Sequence, residues 1–222
     1  MKVKINKDIL KCVPSFDILA FKFNIEIKES DNKILDKINE EIQKYLNMPM
    51  ENIIKLPNIS DARYGYKAFG KDPSRYRLAC ESLLRRISKG MGLYYINNAV
   101  DIGNLLSILL QRSIAVLDYD KIDGDVIVRL GTENDEYYGI GRGLLNVCNI
   151  PLYCDNISPF GSPTSDTLRT SITNDTKTIL LFVIMFSDLE REYCEKITKD
   201  LFSELANVKT FEKIMVIKEG EE

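Results

Sequence analysis

Histidine is absent from all 222 residues, and so is tryptophan. Without an imidazole there is no Ser-His-Asp triad, no Cys-His pair, no HExxH zinc helix and no histidine general base. Cysteine is scarce: Cys12, Cys80, Cys148, Cys154 and Cys194, an odd number with no CxxC. The longest unbroken apolar run, Ile179 to Phe186, is eight residues, against the roughly 20 that a spanning helix needs. No charged-then-apolar leader opens the chain. These absences predict a reduced, cytoplasmic protein with no membrane partner, its cysteines serving as small core hydrophobes. Cys148 and Cys154 are the pair that sequence brings near each other.

The remaining composition is that of a globular protein, 45% hydrophobic and 28% charged, long enough to bury a core without staples. The net charge of -3 hides a segregation. Between Arg63 and Lys89 stand eight basic and two acidic residues, a net +6, which leaves -9 for the rest. Such a face suits a polyanion. A solvated helix with scattered arginines has the same composition.

Phe16 to Lys28 reads as a strand. Asp31 caps an amphipathic helix over 33–46, with Ile34, Leu35, Ile38, Ile42, Tyr45 and Leu46 in one stripe. Asp72-Pro73 reads as a helix start, with Tyr76, Ala79, Cys80, Leu83, Leu84 and Ile87 inward and Gly90 as the stop. Asp101 is placed to cap a shorter helix through Leu110. Strands are expected over 125–130, 178–186 and 212–217. The second of these is apolar throughout, hence buried on both faces. Ser187 and Glu190 form a capping-box pair for a helix bearing Leu189, Tyr193, Ile197, Leu201, Phe202 and Leu205 on one side. Helices and strands interleave without a βαβ rhythm, which predicts an α+β fold. No low-complexity linker divides residues 1–222. They are read as one domain, with an N-terminal layer over 1–60.

Three local patterns carry little chemistry. Gly139, Gly141 and Gly143 miss the dinucleotide spacing and read as a turn. Asp118, Asp120, Asp123 and Asp125 break the order of a calcium loop, so no metal set is predicted, and nothing calls for a cofactor. Ser158 to Thr176 is dense in hydroxyls, with Arg169 and Lys177 among them, and offers partners to a polar ligand or simply to itself.

Gly70-Lys-Asp-Pro-Ser-Arg-Tyr-Arg77, Ile96-Asn-Asn-Ala-Val-Asp-Ile-Gly-Asn104 and Ile172-Thr-Asn-Asp-Thr-Lys-Thr-Ile-Leu-Leu181 occur in that order. Together they resemble the B3/B4 domain of the bacterial phenylalanyl-tRNA synthetase β subunit, and more closely the free-standing B3/B4 proteins. The resemblance runs over about 63–186. It implies a β-sandwich-like core with flanking helices, 187–222 adding a C-terminal helix and strand. In the synthetase this domain hydrolyses tyrosine wrongly esterified to the phenylalanine tRNA, by positioning the ester and a water rather than by a protein nucleophile. The aminoacylation core has no counterpart here.

By this resemblance the partner is tRNA or aminoacyl-tRNA, with hydrolysis in trans as the associated activity and no catalytic side chain assigned. Arg75, Arg77, Arg85 and Lys177 would meet RNA. Asn98, Asn104, Asp166, Arg169, Thr170 and Thr173 would line the pocket, together with Ala115 and Phe182. The last two stand where the synthetase has a histidine and the glutamate that reads the tyrosine hydroxyl, so tyrosine specificity is not expected. Asn98 and Asn104 equally suit the task of satisfying buried backbone groups. A binder of a free amino-acid-like molecule is the other function class, favoured by the acidic balance.

Overall fold

The structure, a computed structural model, describes residues 1–220. The chain begins with strand β1 (Val3–Ile5), helix α1 (Lys7–Cys12), strand β2 (Asp17–Asn24) and helix α2 (Asn32–Ile42), the last capped by Asp31 as the sequence predicts. Helices α3 (Met50–Ile53), α4 (Pro57–Ala68), α5 (Ala79–Ser88) and α6 (Asn98–Leu110) follow. Strands β3 (Ile114–Asp118) and β4 (Val126–Leu130) precede a small hairpin of β5 (Tyr138–Gly139) and β6 (Gly143–Leu144). Then come β7 (Pro151–Cys154), β8 (Pro159–Gly161), β9 (Thr178–Met185), helix α7 (Arg191–Ala206), β10 (Glu212–Lys213) and β11 (Val216–Lys218).

Two main sheets result: an antiparallel one in the order β10-β2-β9-β3, and a mixed one in the order β11-β1-β4-β7-β8. Strand alternation decides the layering. Leu180, Phe182 and Ile184 of β9 join Ala115, Leu117, Ile18 and Ala20 in a cluster with Val3, Ile5, Val126, Val128, Tyr153 and Phe160 of the opposing sheet. The alternate residues of β9, Ile179, Leu181 and Val183, meet α2, α6 and α7 on the other side. Strand β9 is therefore central and covered on both faces, as its apolar run requires. Gly103 lets α6 settle on β3, since a Cβ there would come within 2.4 Å of Val116. This is the α+β sandwich with flanking helices that the resemblance implies.

Three local expectations fail. Asp72 does not open a helix. Its carboxylate accepts from the Ser74 amide in a turn, and α5 begins only at Ala79, whose N–H donates to the Pro163 carbonyl at 2.9 Å. Asp101 is not a cap. Asn97 caps α6, while Asp101 lies a turn inside and accepts from Ser30 Oγ and the Ile96 amide. Glu190 sits at φ 59° before α7 with no side-chain cap, so the capping box is not formed, and Leu189 and Tyr193 face solvent. The expected strand over 212–217 is split. Its first part pairs with β2 and its second with β1, so the chain crosses from one sheet to the other at Ile214 and Met215. All five cysteines are free.

Candidate functional site

The hydroxyl-rich segment is mostly spent on its own architecture. Ser162 Oγ accepts from the Thr164 and Ser165 amides and donates to the Ser165 carbonyl. The Pro163 carbonyl receives both Ala79 N–H and Ser113 Oγ, which ties the loop to α5 and β3. Thr164 Oγ1 lies 2.8 Å from Tyr66 Oη, and Tyr137 Oη donates to the Ser165 carbonyl. Further along, Thr176 Oγ1 donates to the buried Asp118 at 2.7 Å, and Thr170 reaches the Phe160 carbonyl at 3.4 Å. Arg169 is held by Asp155 and the Lys121 carbonyl, each at 2.8 Å. Thr173 and Lys177 are exposed at the approach to β9.

Three polar atoms in this region stay unpaired among the described residues, Arg169 Nε being one. Asp166 Oδ1 and Tyr153 Oη are out of solvent without a hydrogen-bond partner among the described residues. Both press on Gly161, where a Cβ would lie 2.8 Å from Asp166 Oδ1 and 2.6 Å from the Tyr153 ring. Burial with no cation beside it pushes the Asp166 carboxyl up to about 7, and the Ser162 amide holds it back only partly. Burial, with the Asp166 charge adding to it, drives the Tyr153 phenol well above its ordinary range.

Beside this loop lies a cavity of about 190 Å³, walled by Ser162 and Thr164, the apolar Val147 and Ile150, and Arg75 and Arg142. Arg142 enters no ion pair among the described residues, and the carboxylate nearest Arg75 is Asp72 at 3.9 Å. Arg142, without an ion pair among the described residues, and Arg75, paired only with the exposed Asp72, stand over an apolar wall and suit a small molecule with an anionic and an apolar part. A larger and more open cleft of about 610 Å³ runs along Thr132–Val147, but its charged lining is acidic and it holds no comparable cation.

The basic segment is less free than its sum suggests. Glu81 is wholly buried and takes Arg63 at 3.0 Å, Arg85 at 2.7 Å and Arg77 at 3.9 Å. Three guanidiniums on one carboxylate leave +2, and Arg77 Nε has no partner. Of the arginines expected to meet RNA, Arg75 is exposed and paired only with the exposed Asp72, Arg77 is partly available, and Arg85 is committed inward.

The asparagines separate. Asn98 accepts from the Lys28 amide and donates to the Glu26 carbonyl, a backbone clamp for the segment after β2. Asn104 is half-buried on α6. Ala115 and Phe182 are cross-strand partners and are 3% and 0% exposed. The Phe182 ring meets Tyr153 edge to face at 5.4 Å. Both positions thus lie in the core between the sheets. Tyr66, Tyr137, Tyr153, Ser162 and Arg142 are the residues that sequence reasoning does not find. Their partners come from α4, β7 and the β5–β6 hairpin, and only Ser162 carries a compositional signal, as part of the hydroxyl run.

Residues 61–208 match the family model described as the B3/4 domain. No curated protein matches the chain. The crystal structure of an N-terminal fragment of the phenylalanyl-tRNA synthetase β-subunit from Pyrococcus horikoshii superposes with a TM-score of 0.53 at 13% identity. That match covers 98% of this chain and 52% of the fragment, so the chain spans about half of its length.

Proposed function

The chain belongs to the B3/4 domain family, and on that premise we propose that it binds the aminoacylated 3′ end of a tRNA in the cytoplasm, its whole length acting as one unit. The carrying observation is the cavity beside Ser162 and Thr164, with Arg142 free of ion pairs among the described residues and Arg75 paired only with the exposed Asp72. A terminal phosphate would be met by the guanidiniums and an apolar aminoacyl side chain by Val147 and Ile150. Asp166, Arg169 and Thr170 belong to the loop that carries Ser162 and Thr164, Asn98 and Asn104 lie away from the cavity on α6, and Lys177 adds charge at the approach. No residue is positioned as a nucleophile, so any ester cleavage would proceed by a water held in the site. Ala115 and Phe182 offer no side-chain hydrogen bond, which argues against a tyrosyl ester as substrate.

A free amino-acid-like molecule is the second reading, favoured by the small volume of the cavity and the net charge of -3. The test is binding of purified aminoacyl-tRNAs across a salt series, with free amino acids in parallel. Binding that falls steeply with salt and weakens on Arg142→Ala supports the tRNA reading. Salt-insensitive binding of an amino acid with none of tRNA replaces it by the second.

A further inference from the structure

The C-terminal end of α5 leads into a segment that the cavity does not use. Met91, Tyr94, Tyr95 and Ile96 are all exposed, Tyr94 at 70%. The segment is nevertheless held in place. Arg86 Nη2 donates to the Met91 carbonyl at 3.2 Å, and the Ile96 amide donates to Asp101 at 3.0 Å. Between them Leu93 packs against both hydrophobic clusters. The Arg86 guanidinium stacks on the Tyr94 ring, 3.9 Å from its centroid, and its Nε has no partner. Neither Arg86 nor the exposed Lys89 enters an ion pair among the described residues. An exposed ring fixed by a guanidinium, a second whose hydroxyl donates to Asn39 Oδ1 at 3.4 Å, and two cations without ion pairs on the same segment are the elements of a base-stacking surface.

We propose that Arg86, Lys89, Tyr94 and Tyr95 form a stacking platform for unpaired nucleotides of a single-stranded RNA. The charge selects this occupant over an apolar protein partner, because both cations of the patch are free of carboxylates. The geometry connects it to the cavity. Helix α5 starts at the Pro163 carbonyl and ends at the platform, a length of about 15 Å for its ten residues. That is the span of a few stacked nucleotides at roughly 3.4 Å each. A 3′ tail lying along α5 would place its terminus at Arg75 and Arg142 and its preceding bases on Tyr94 and Tyr95. This extended placement rests on the tRNA reading given above. The platform itself does not.

The probe is a fluorescent oligoadenylate of about a dozen nucleotides, read by anisotropy at low salt. Wild type should bind it, Tyr94→Ala should weaken binding about 5- to 100-fold, and Tyr94→Phe should restore it. Lys89→Gln should lower the dependence of log affinity on log salt by about one. No binding by wild type overturns the platform, as does affinity unchanged in Tyr94→Ala, or a patch that proves to be a self-association surface by sedimentation. Because Tyr94 is exposed, the alanine variant should melt like wild type, so its loss is read as contact rather than unfolding. Oligoadenylate binding that survives while Arg142→Ala leaves every aminoacyl ligand unaffected would sink the cavity reading and leave the platform standing.

Discussion

Replacing Asp166 by asparagine tests the electrostatics of the site loop through stability alone. The folded carboxyl is raised from the ordinary 3.8 to about 7 by burial with no cation beside it. A group whose folded value lies above its unfolded one binds its proton more tightly when folded. Its contribution to stability is therefore complete below about pH 4 and is lost as pH rises through 7. The gap between the two values corresponds to roughly 4 kcal/mol, an upper bound that relaxation of the loop would reduce. Asparagine is neutral at every pH and keeps the acceptor for the Ser162 amide, so it mimics the protonated acid. Near pH 4 the variant should match wild type, and near pH 8 it should be more stable by about 2–4 kcal/mol. Urea unfolding followed by circular dichroism across that range gives the difference directly. A variant-minus-wild-type difference that is flat with pH would show that Asp166 is not a charged, unpaired group in the folded protein.

Glu81→Gln should destabilise by on the order of 3 kcal/mol in urea unfolding, because Arg63, Arg77 and Arg85 would then face one another without their carboxylate; added salt should recover part of that loss, and a neutral outcome would remove the cluster from the architecture. Phe182→Ala should cost about 3–5 kcal/mol, since its ring fills the space between the sheets against Tyr153, and little change in the denaturation midpoint would show that the inter-sheet core is not closed there. Deacylation assays should show no selective loss of tyrosine from tyrosyl-tRNA charged on the phenylalanine tRNA, because positions 115 and 182 carry only Ala and Phe; efficient, tyrosine-selective release would refute that.

What was legible in the sequence was legible through periodicity. Strand β9 announces itself because a strand covered on both faces must be apolar throughout, and Asp31 announces α2 because its carboxylate has no competing partner. Two failures share one cause. Asp72 and Asp101 each look like helix caps, but a cap is only one use of a short acceptor, and here a turn amide claims the first and the Ser30 hydroxyl with the Ile96 amide the second. The candidate site was half legible. Arg75 and the hydroxyl segment were found, and the structure brings them to one cavity. Arg142 and the three buried tyrosines were not, since they arrive from α4, from β7 and from the β5–β6 hairpin and its approach, far apart in sequence. The reduced availability of Arg85 was equally invisible, because a sum of charges does not show that Glu81 is buried among them.

The site's polarity sits on a different sheet from the one the family resemblance points to. On the β3–β9 pair, where that resemblance sets a histidine and a glutamate, the chain has Ala115 and Phe182, adjacent and sealed. Facing them from the other sheet, Tyr153 brings a phenol without a partner among the described residues, and Asp166 brings a carboxyl whose Oδ1 is likewise unpaired, on the far side of Gly161. Two orphaned polar groups cost free energy that an apolar pair would not. Their presence beside the cavity loop is a local inconsistency of the kind that functional sites often carry. Phe182→Glu alone would then put a second carboxylate into the core occupied by Tyr153, with no cation to receive it, and should unfold the protein rather than confer tyrosine recognition. Combining it with Asp166→Asn would still leave the new glutamate without a cation, so the double variant should rescue little. A well-folded Phe182→Glu protein that selects tyrosyl esters would show instead that β9 can carry such a glutamate with the rest of the core unchanged.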